Sequence, residues 1–395
     1  MISITPWDRF ARPVAADPDR PDLKGADMEF SFSREQEDLR SSVKDFLSRR
    51  SGSEARNKLL KSGYEFDREL WTTMARQLGL QGLALPESVD GSGAGFIETS
   101  IVLEELGRDS YAGPYFSTIA ASWVLEQGGD EAAESLRGIA DGSRVFTLAI
   151  ADEGGTWSAP GHATKAFEVG DDYRLSGLKV NVTDADAADE FVVIASLPEG
   201  PAWFRVAADA PGVTVDLRES LDLTRPIGRL VLRDVKADLV VGPQAAGQVL
   251  AEVNDKAAAA LAAEMVGGAK AALDQSVSWS LERTQFGRPI GSFQAIKHMC
   301  ADALVEVETA RLLAEYAAWA IQEGAPDASV VASMAKQAAS DAFSLAAGNN
   351  IQIHGGIGFT WEHSAHLYFR RAKASSALFG TPHRHRARIA DLLAV

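Results

Sequence analysis

Cysteine is all but absent: the 395 residues contain one, Cys300. A single thiol excludes an internal disulfide framework and any cysteine-rich zinc site. It falls in an apolar helical pattern and so reads as a core residue, not a nucleophile. Redox chemistry by this chain would therefore require a cofactor. Long apolar runs are missing too; none approaches the roughly 20 residues that a membrane-spanning helix needs, and no span is expected. Positive charge is scarce: 39 Lys and Arg against 55 Asp and Glu leave a net charge of −16. Nucleic acid is thus an improbable partner, because phosphate binding relies on clustered cations. The first residues, MISITPWDRFARPVAADPDRPDLKGAD, hold no apolar stretch and are rich in Pro, Asp and Arg. Residues 1–28 read as a mobile arm and not as a signal peptide, so a cytoplasmic location is the expectation.

What remains is ordinary globular material, 46% apolar and 24% charged, at a length that suggests two or three domains. From residue 29 to 144 the apolar period is helical. SREQEDLRSSVKDFLSRR carries Leu39, Val43, Phe46 and Leu47 on one face, with Ser33 and Gln36 in capping-box spacing. Gly91, Gly93 and Gly95 follow no clear strand and read as a surface loop, not a dinucleotide fingerprint. From 145 to 243 the period shortens to two: RVFTLAI, YRLSGLKVNV, EFVVIAS, AWFRVAA, VTVDLR and GRLVLRDV predict a compact antiparallel barrel or sandwich. From 244 to 395 long Ala- and Leu-rich amphipathic helices return, at roughly 247–282, 292–322, 327–354 and 364–378 with a short last one near 382–393, and predict a four-helix bundle.

Two segments of the bundle interrupt its periodicity. RTQFGRPIGSFQAIKH (283–298) sets Arg283 and Arg288 on a turn beside Phe286 and Gln294. A guanidinium fork suits a pyrophosphate, and Phe and Gln can flank an aromatic heterocycle. QIHGGIGFTWEH (352–363) places Gly355, Gly356 and Gly358 where backbone must come close to something. Read locally, both segments could equally be tight connections between helices. A third stretch, SSALFGTPHRH (375–385), ends a helical run and leads into His383, Arg384, His385, Arg386 and Arg388, with no carboxylate between Lys373 and Asp391. His383 and His385 do not share a helix face, and no metal site is expected there. His363 and His366 read as packing residues, and Glu362 as part of a solvated helix start.

With the order helices, β domain, helical bundle, these segments make the chain resemble the acyl-CoA dehydrogenase family from about residue 30 to the end. The stretches that carry the resemblance are LALPESVDGSGAGFIETSIVLEELGR (83–108), GLKVNV (177–182), RTQFGRPIGSFQAIKH and IQIHGGIGFTWEHSAHLYFRRAK (351–373). It implies an α+β multidomain fold: an N-terminal α-helical domain, a middle antiparallel β-barrel and a C-terminal four-helix bundle. It also implies FAD as cofactor, an acyl-CoA thioester as substrate, electron-transfer flavoprotein or a similar acceptor, and a homo- or hetero-tetramer. Carried over residue by residue, Arg283, Phe286, Gln294, Gln352, Gly355 and Gly356 would contact the adenine and pyrophosphate half of a neighbouring subunit's FAD. Thr183 would meet the flavin edge, and Thr381 would be a further cofactor contact.

The resemblance also exposes a gap. Such enzymes remove a thioester α-proton with a buried carboxylate and pass the β-hydrogen to the flavin as hydride. The usual position of that base holds Phe379, and a second family position holds Ala257. Glu264 is a weak candidate, two helical turns on and displaced by ~10 Å along the axis; a structural carboxylate paired with Arg is the better expectation. IADEGGTWSAP (150–160) replaces the family's flavin-lining run, and Asn181 stands where a Trp would cover the flavin. Three readings stay open: a subunit that needs a base-bearing partner in an α2β2 enzyme of the actinobacterial steroid-degrading kind, a self-sufficient homotetramer with a non-standard base, and a flavin-dependent oxidase or hydroxylase relative.

Overall fold

A computed structural model of the protein describes residues 32–50, 60, 66–157, 163–170 and 172–394; the arm expected at 1–28 lies outside them. Helices come first: α1 (Arg34–Arg50), α2 (Arg68–Leu78), α3 (Phe96–Asp109), α4 (Tyr115–Leu125) and α5 (Ala133–Ala140). The start of α1 is the capping box that its sequence predicts. The Ser33 N–H donates to Gln36 Oε1 at 2.9 Å, and the Gln36 N–H donates to Ser33 Oγ at 3.3 Å. Val43, Phe46 and Leu47 are buried and Leu39 is partly so.

Seven strands follow: β1 (Phe146–Ala149), β2 (Lys165–Val169), β3 (Asp172–Thr183), β4 (Glu190–Leu197), β5 (Gly200–Ala207), β6 (Val213–Arg218) and β7 (Ile227–Val241). The ring β4–β5–β7–β3–β2 closes through one β2–β4 pairing, Lys165 with Ser196, while β1 and β6 extend it along β4 and β7. Phe191, Phe204, Leu175 and Leu230 fill the interior. The hairpin pairs are antiparallel as expected, whereas β1 and the single β2 contact run parallel to β4, which a meander of hairpins does not anticipate. Sequence reading also misses β2. Only Ala166 of KAFEV is buried, and the two larger apolar residues, Phe167 and Val169, face solvent, so this short strand lacks the buried apolar face that marks its neighbours.

The chain then returns to helices: α6 (Pro243–Glu282), α7 (Gln294–Gln322), α8 (Ala328–His354), α9 (Ala365–Ala377) and α10 (Pro382–Leu392). Small side chains let these helices pack tightly, and Ala257 through Ala263 on α6 are all buried. Between α3 and α6 the backbones themselves meet. A Cβ on Gly107 would lie 1.9 Å from the Glu264 carbonyl oxygen, and one on Gly267 would lie 1.8 Å from that of Glu104. Glycine at both positions is what lets the N-terminal helices seat on the bundle. Cys300 lies half-buried on α7.

Candidate functional site

The corner between α9 and α10 is built by backbone conformation. After Ala377 the chain runs extended at Leu378, then takes positive φ at Phe379 (52°) and Gly380 (114°) before Thr381 caps α10. The Arg384 N–H donates to Thr381 Oγ1 at 3.4 Å, and Pro382 follows as first helical residue. From α8, the fully buried Lys336 donates Nζ to the carbonyls of Ser375 (3.0 Å), Ser376 (3.5 Å) and Gly380 (3.4 Å). It thereby caps the end of α9 and ties the corner down. Burial, with the Arg225 cation nearby, pushes the Lys336 ammonium down to about 7 against the pull of Glu264.

Phe379 itself is buried. Its ring stacks on Trp157 with centroids 5.6 Å apart and meets Phe116 edge-on at 5.8 Å. Above it opens a cleft of about 530 Å³ between Leu250 and Asn254 of α6 and Arg384 and Arg388 of α10. Asp391 is the one carboxylate among the described residues that line it. The acids missing from the local sequence arrive through space: Asp255 of α6 pairs with Arg388 at 2.5 Å, and Asp341 of α8 with Arg386 at 3.6 Å. His385 is buried against Gly380; burial, with Lys336 and Arg388 close by, depresses it to about 4, so it is uncharged at neutral pH.

Glu264 lies below the α3 crossing, away from that cleft's lining. Arg225 Nη2 reaches its two oxygens at 2.7 and 2.6 Å, and Arg371 donates Nε to Oε1 at 3.0 Å. Arg371 also bonds the Tyr111 carbonyl at 2.6 Å and Thr224 Oγ1 at 3.0 Å, so one carboxylate joins the N-terminal helices, the β domain and the bundle. Burial alone would raise the Glu264 pKa; the two guanidiniums outweigh it and hold the carboxyl below its ordinary value. Ala257 is fully buried among apolar neighbours on the same helix.

A different carboxyl has the opposite character. Asp184, just past β3, is 1% exposed; it accepts a hydrogen bond from Ser117 Oγ, and its Oδ1 has no partner among the described residues. Burial raises it to about 7 despite Arg225 and Arg371 nearby. Sequence reading passes over Asp184 because a NVTDADA turn looks solvated. The neighbouring Thr183 is buried, with its hydroxyl 3.1 Å from Ser117 Oγ. Asn181 faces solvent with φ of 55°, at a break in register between Lys179 and Val182. The loop that carries Trp157 starts at a buried ion pair: Lys179 Nζ lies 2.8 Å from Asp152 Oδ1.

Arg283, Phe286, Arg288, Gln294, Gln352, Gly355 and Gly356 sit at the far end of α6, the start of α7 and the end of α8, and all are exposed, whereas Gly358 and His366 are buried and His363 is half-buried. Arg283 ends α6; Thr284–Gln285 (β8) and Arg288–Pro289 (β9) form a tight hairpin whose turn residues, Phe286 and Gly287, both have positive φ. Phe286 is 92% exposed. Arg288 lies over the Phe293 ring at 4.1 Å, and Gln294 opens α7. On α8, Gln352 is exposed, Gly355 breaks the helix with φ of 65°, and Gly356 is exposed with ordinary φ. A Cβ at Gly356 would meet nothing in the described chain. Neither conformation nor an internal contact thus calls for glycine there, and the surface is open to an outside group.

Comparison with known proteins decides the family. The model for the acyl-CoA dehydrogenase N-terminal domain matches residues 33–143, and that for the C-terminal domain matches 249–394. The chain belongs to the acyl-CoA dehydrogenase family. Acyl-CoA dehydrogenase IpdE2 of Mycobacterium tuberculosis is 33% identical over 348 residues, covering 88% of this chain and 94% of IpdE2. Among solved structures, a variant of the Tcur3481-Tcur3483 steroid ACAD aligns with a TM-score of 0.83 at 34% identity over 91% of this chain and 98% of its own. The ChsE4-ChsE5 complex from Mycobacterium tuberculosis aligns with a TM-score of 0.85 at 30% identity, covering 93% and 99%. Family membership makes FAD the cofactor and places the chain among FAD-dependent oxidoreductases that act on acyl-CoA. The exposed set at Arg283, Phe286, Gln294, Gln352, Gly355 and Gly356 fits such a group: a cationic fork, an aromatic face, amides and an uncovered backbone. Among the described residues no helix is long and apolar enough to cross a membrane, and none of them form a metal-binding group of His, Cys, Asp or Glu.

Proposed function

We propose that this chain is the subunit without a catalytic base in a heteromeric FAD-dependent acyl-CoA dehydrogenase acting on a steroid-derived thioester. One observation carries the reading: the position expected to hold the base is occupied by Phe379, packed between Trp157 and Phe116. A phenyl ring accepts no proton, and Glu264 is not free to replace the missing acid, because Arg225 and Arg371 hold it ionised. Meanwhile the six exposed residues of the hairpin and the glycine turn are ready to contact the FAD of a neighbouring subunit, a group that supplies the hydride acceptor when bound. Within this chain, Thr183 Oγ is already engaged with Ser117, Asn181 points to solvent, and Thr381 serves as a helix cap. Two similar structures are named for pairs of chains, which favours a hetero-oligomer, and one is named a steroid enzyme. Electron-transfer flavoprotein is the acceptor that the family suggests.

The test is the visible spectrum and flavin-to-protein ratio of the chain expressed alone, followed by anaerobic titration with acyl-CoAs. Little flavin and no bleaching are expected. Near-unit occupancy with bleaching by any thioester would overturn the partner-dependent reading.

A further inference from the structure

The turn that offers Gln352, Gly355 and Gly356 to the outside is bracketed by two histidines of opposite tautomer. His354, the last residue of α8, is 6% exposed, and its Nδ1 lies 2.8 Å from the Asn350 carbonyl. A carbonyl only accepts, so Nδ1 bears the hydrogen. His363 shows the reverse: its Nδ1 accepts from the Ala365 N–H at 3.1 Å, at the start of α9, so its hydrogen is on Nε2. The two ring centroids are 4.1 Å apart. Trp279 of α6 closes the other side, stacked on His354 at 4.9 Å. The same residue accepts the Arg283 N–H on its carbonyl at 2.8 Å, so one indole position supports both exposed segments. A polar chain completes the knot: Asn350 Nδ2 donates to Gln275 Oε1 at 2.9 Å, and Gln275 Nε2 to Ser364 Oγ at 3.2 Å.

We propose that His354 and His363 are positioning residues that hold the Gly355–Phe359 turn beside Arg283 in the geometry offered to a neighbouring subunit's FAD, and that they do so only while both rings are uncharged. The inference rests on the reading of that surface as a half-site lent to a neighbour.

The reason is geometric. A proton on His363 Nδ1 removes the acceptor that the Ala365 N–H needs, and it sets a cation 4.1 Å from a second imidazole. The titratable groups acting on His363 are His354 from α8 and His366 from α9, with Arg370 beside His366; α6 contributes the neutral indole of Trp279. Glu362, next in sequence, is exposed. Burial, reinforced by the two imidazoles, brings His363 down to about 4, which keeps the pair neutral under ordinary conditions.

The experiment uses the assembled, FAD-loaded oligomer of this chain with its partner, or of the chain alone if it loads by itself. FAD release is followed from pH 8 to pH 3.5, through the point where His363 takes up its proton, for the wild type, His363→Asn, His363→Gln and Arg283→Ala. Hydrogen exchange of the Ala365 and Gly355–Phe359 amides in the FAD-free chain gives a second readout. Asn sets an acceptor oxygen where Nδ1 lies but cannot take up a proton in this range. It should keep FAD and slow exchange at neutral pH, and should abolish the acid-triggered release. Gln places its acceptor one bond further out; at neutral pH it should release FAD roughly fivefold faster, the effect of losing a helix cap, with faster Ala365 exchange. Identical release profiles and exchange for the wild type and both His363 variants would overturn the inference. FAD retention unaffected by Arg283→Ala would overturn the lending itself, and the inference with it.

Discussion

Trp157 lies almost flat against Phe379, with planes 27° apart, while Phe116 meets the same ring at 82°. Three elements contribute: a β-domain loop, helix α4, and the corner after α9. The position where relatives are expected to keep a proton acceptor is therefore a packed aromatic joint, and restoring an acid there means dismantling the joint.

Phe379→Glu should accordingly fail to create a base. The carboxyl would be buried between two aromatic faces, with a raised pKa and no hydrogen-bond partner supplied by them. A loss of about 3 kcal/mol or more is expected in urea unfolding, in the range for deleting a buried Phe, with no flavin bleaching by acyl-CoA when the chain is tested alone. Bleaching by the variant would show that only the side chain, and not the surrounding site, had been lost.

Glu264→Gln separates a structural carboxylate from a chemical one. The change leaves Arg225 and Arg371, both with side chains 4% exposed, without their shared counter-ion. Removal of one partner from a buried charge cluster costs roughly 3–5 kcal/mol, and that loss should appear in equilibrium denaturation. A variant as stable as the wild type but catalytically dead in the assembled enzyme would contradict this assignment.

Asp184 makes stability depend on pH in a sense opposite to most acids. Its folded pKa of about 7 is raised above the ordinary 3.8, so its contribution is fully present below 3.8 and is lost as pH rises through 7. Asp184→Asn, which resembles the protonated acid, does not titrate. Relative to the wild type it should gain on the order of 4 kcal/mol between pH 4 and pH 8. Parallel stability curves for the two proteins across that range would show that the carboxyl is not buried in the way described.

Phe286→Ala should leave the fold of the single chain alone, since the ring is 92% exposed and substitutions at such sites rarely move stability by more than about 0.5 kcal/mol. The effect should appear in the assembly: weaker subunit association by sedimentation and a lower FAD content. Unchanged association and FAD content would remove the hairpin from the proposed half-site.

The sequence foreshadowed much of this architecture through periodicity. The capping box at Ser33 and Gln36, the long Ala-rich helices and six of the barrel strands all announce themselves by spacing. β2 does not, because KAFEV has one buried side chain and its partners decide its fate. At the site, the exposed set from Arg283 to Gly356 was visible because Gly, Pro and Arg interrupt helical runs. Lys336, Arg225, Arg371 and Asp184 were not visible. Each is a polar residue whose role depends on partners from other elements far along the chain, and a local window contains no sign of them.

The crossing of α3 on α6 has a further consequence. With Gly107 seated on the Glu264 carbonyl and Gly267 on that of Glu104, the two helices touch through main chain. A side chain in place of either glycine would run into a peptide group on the facing helix. The closeness of the N-terminal helices to the bundle is therefore set by two hydrogen atoms in place of side chains, and any larger residue at either position would pry the two apart.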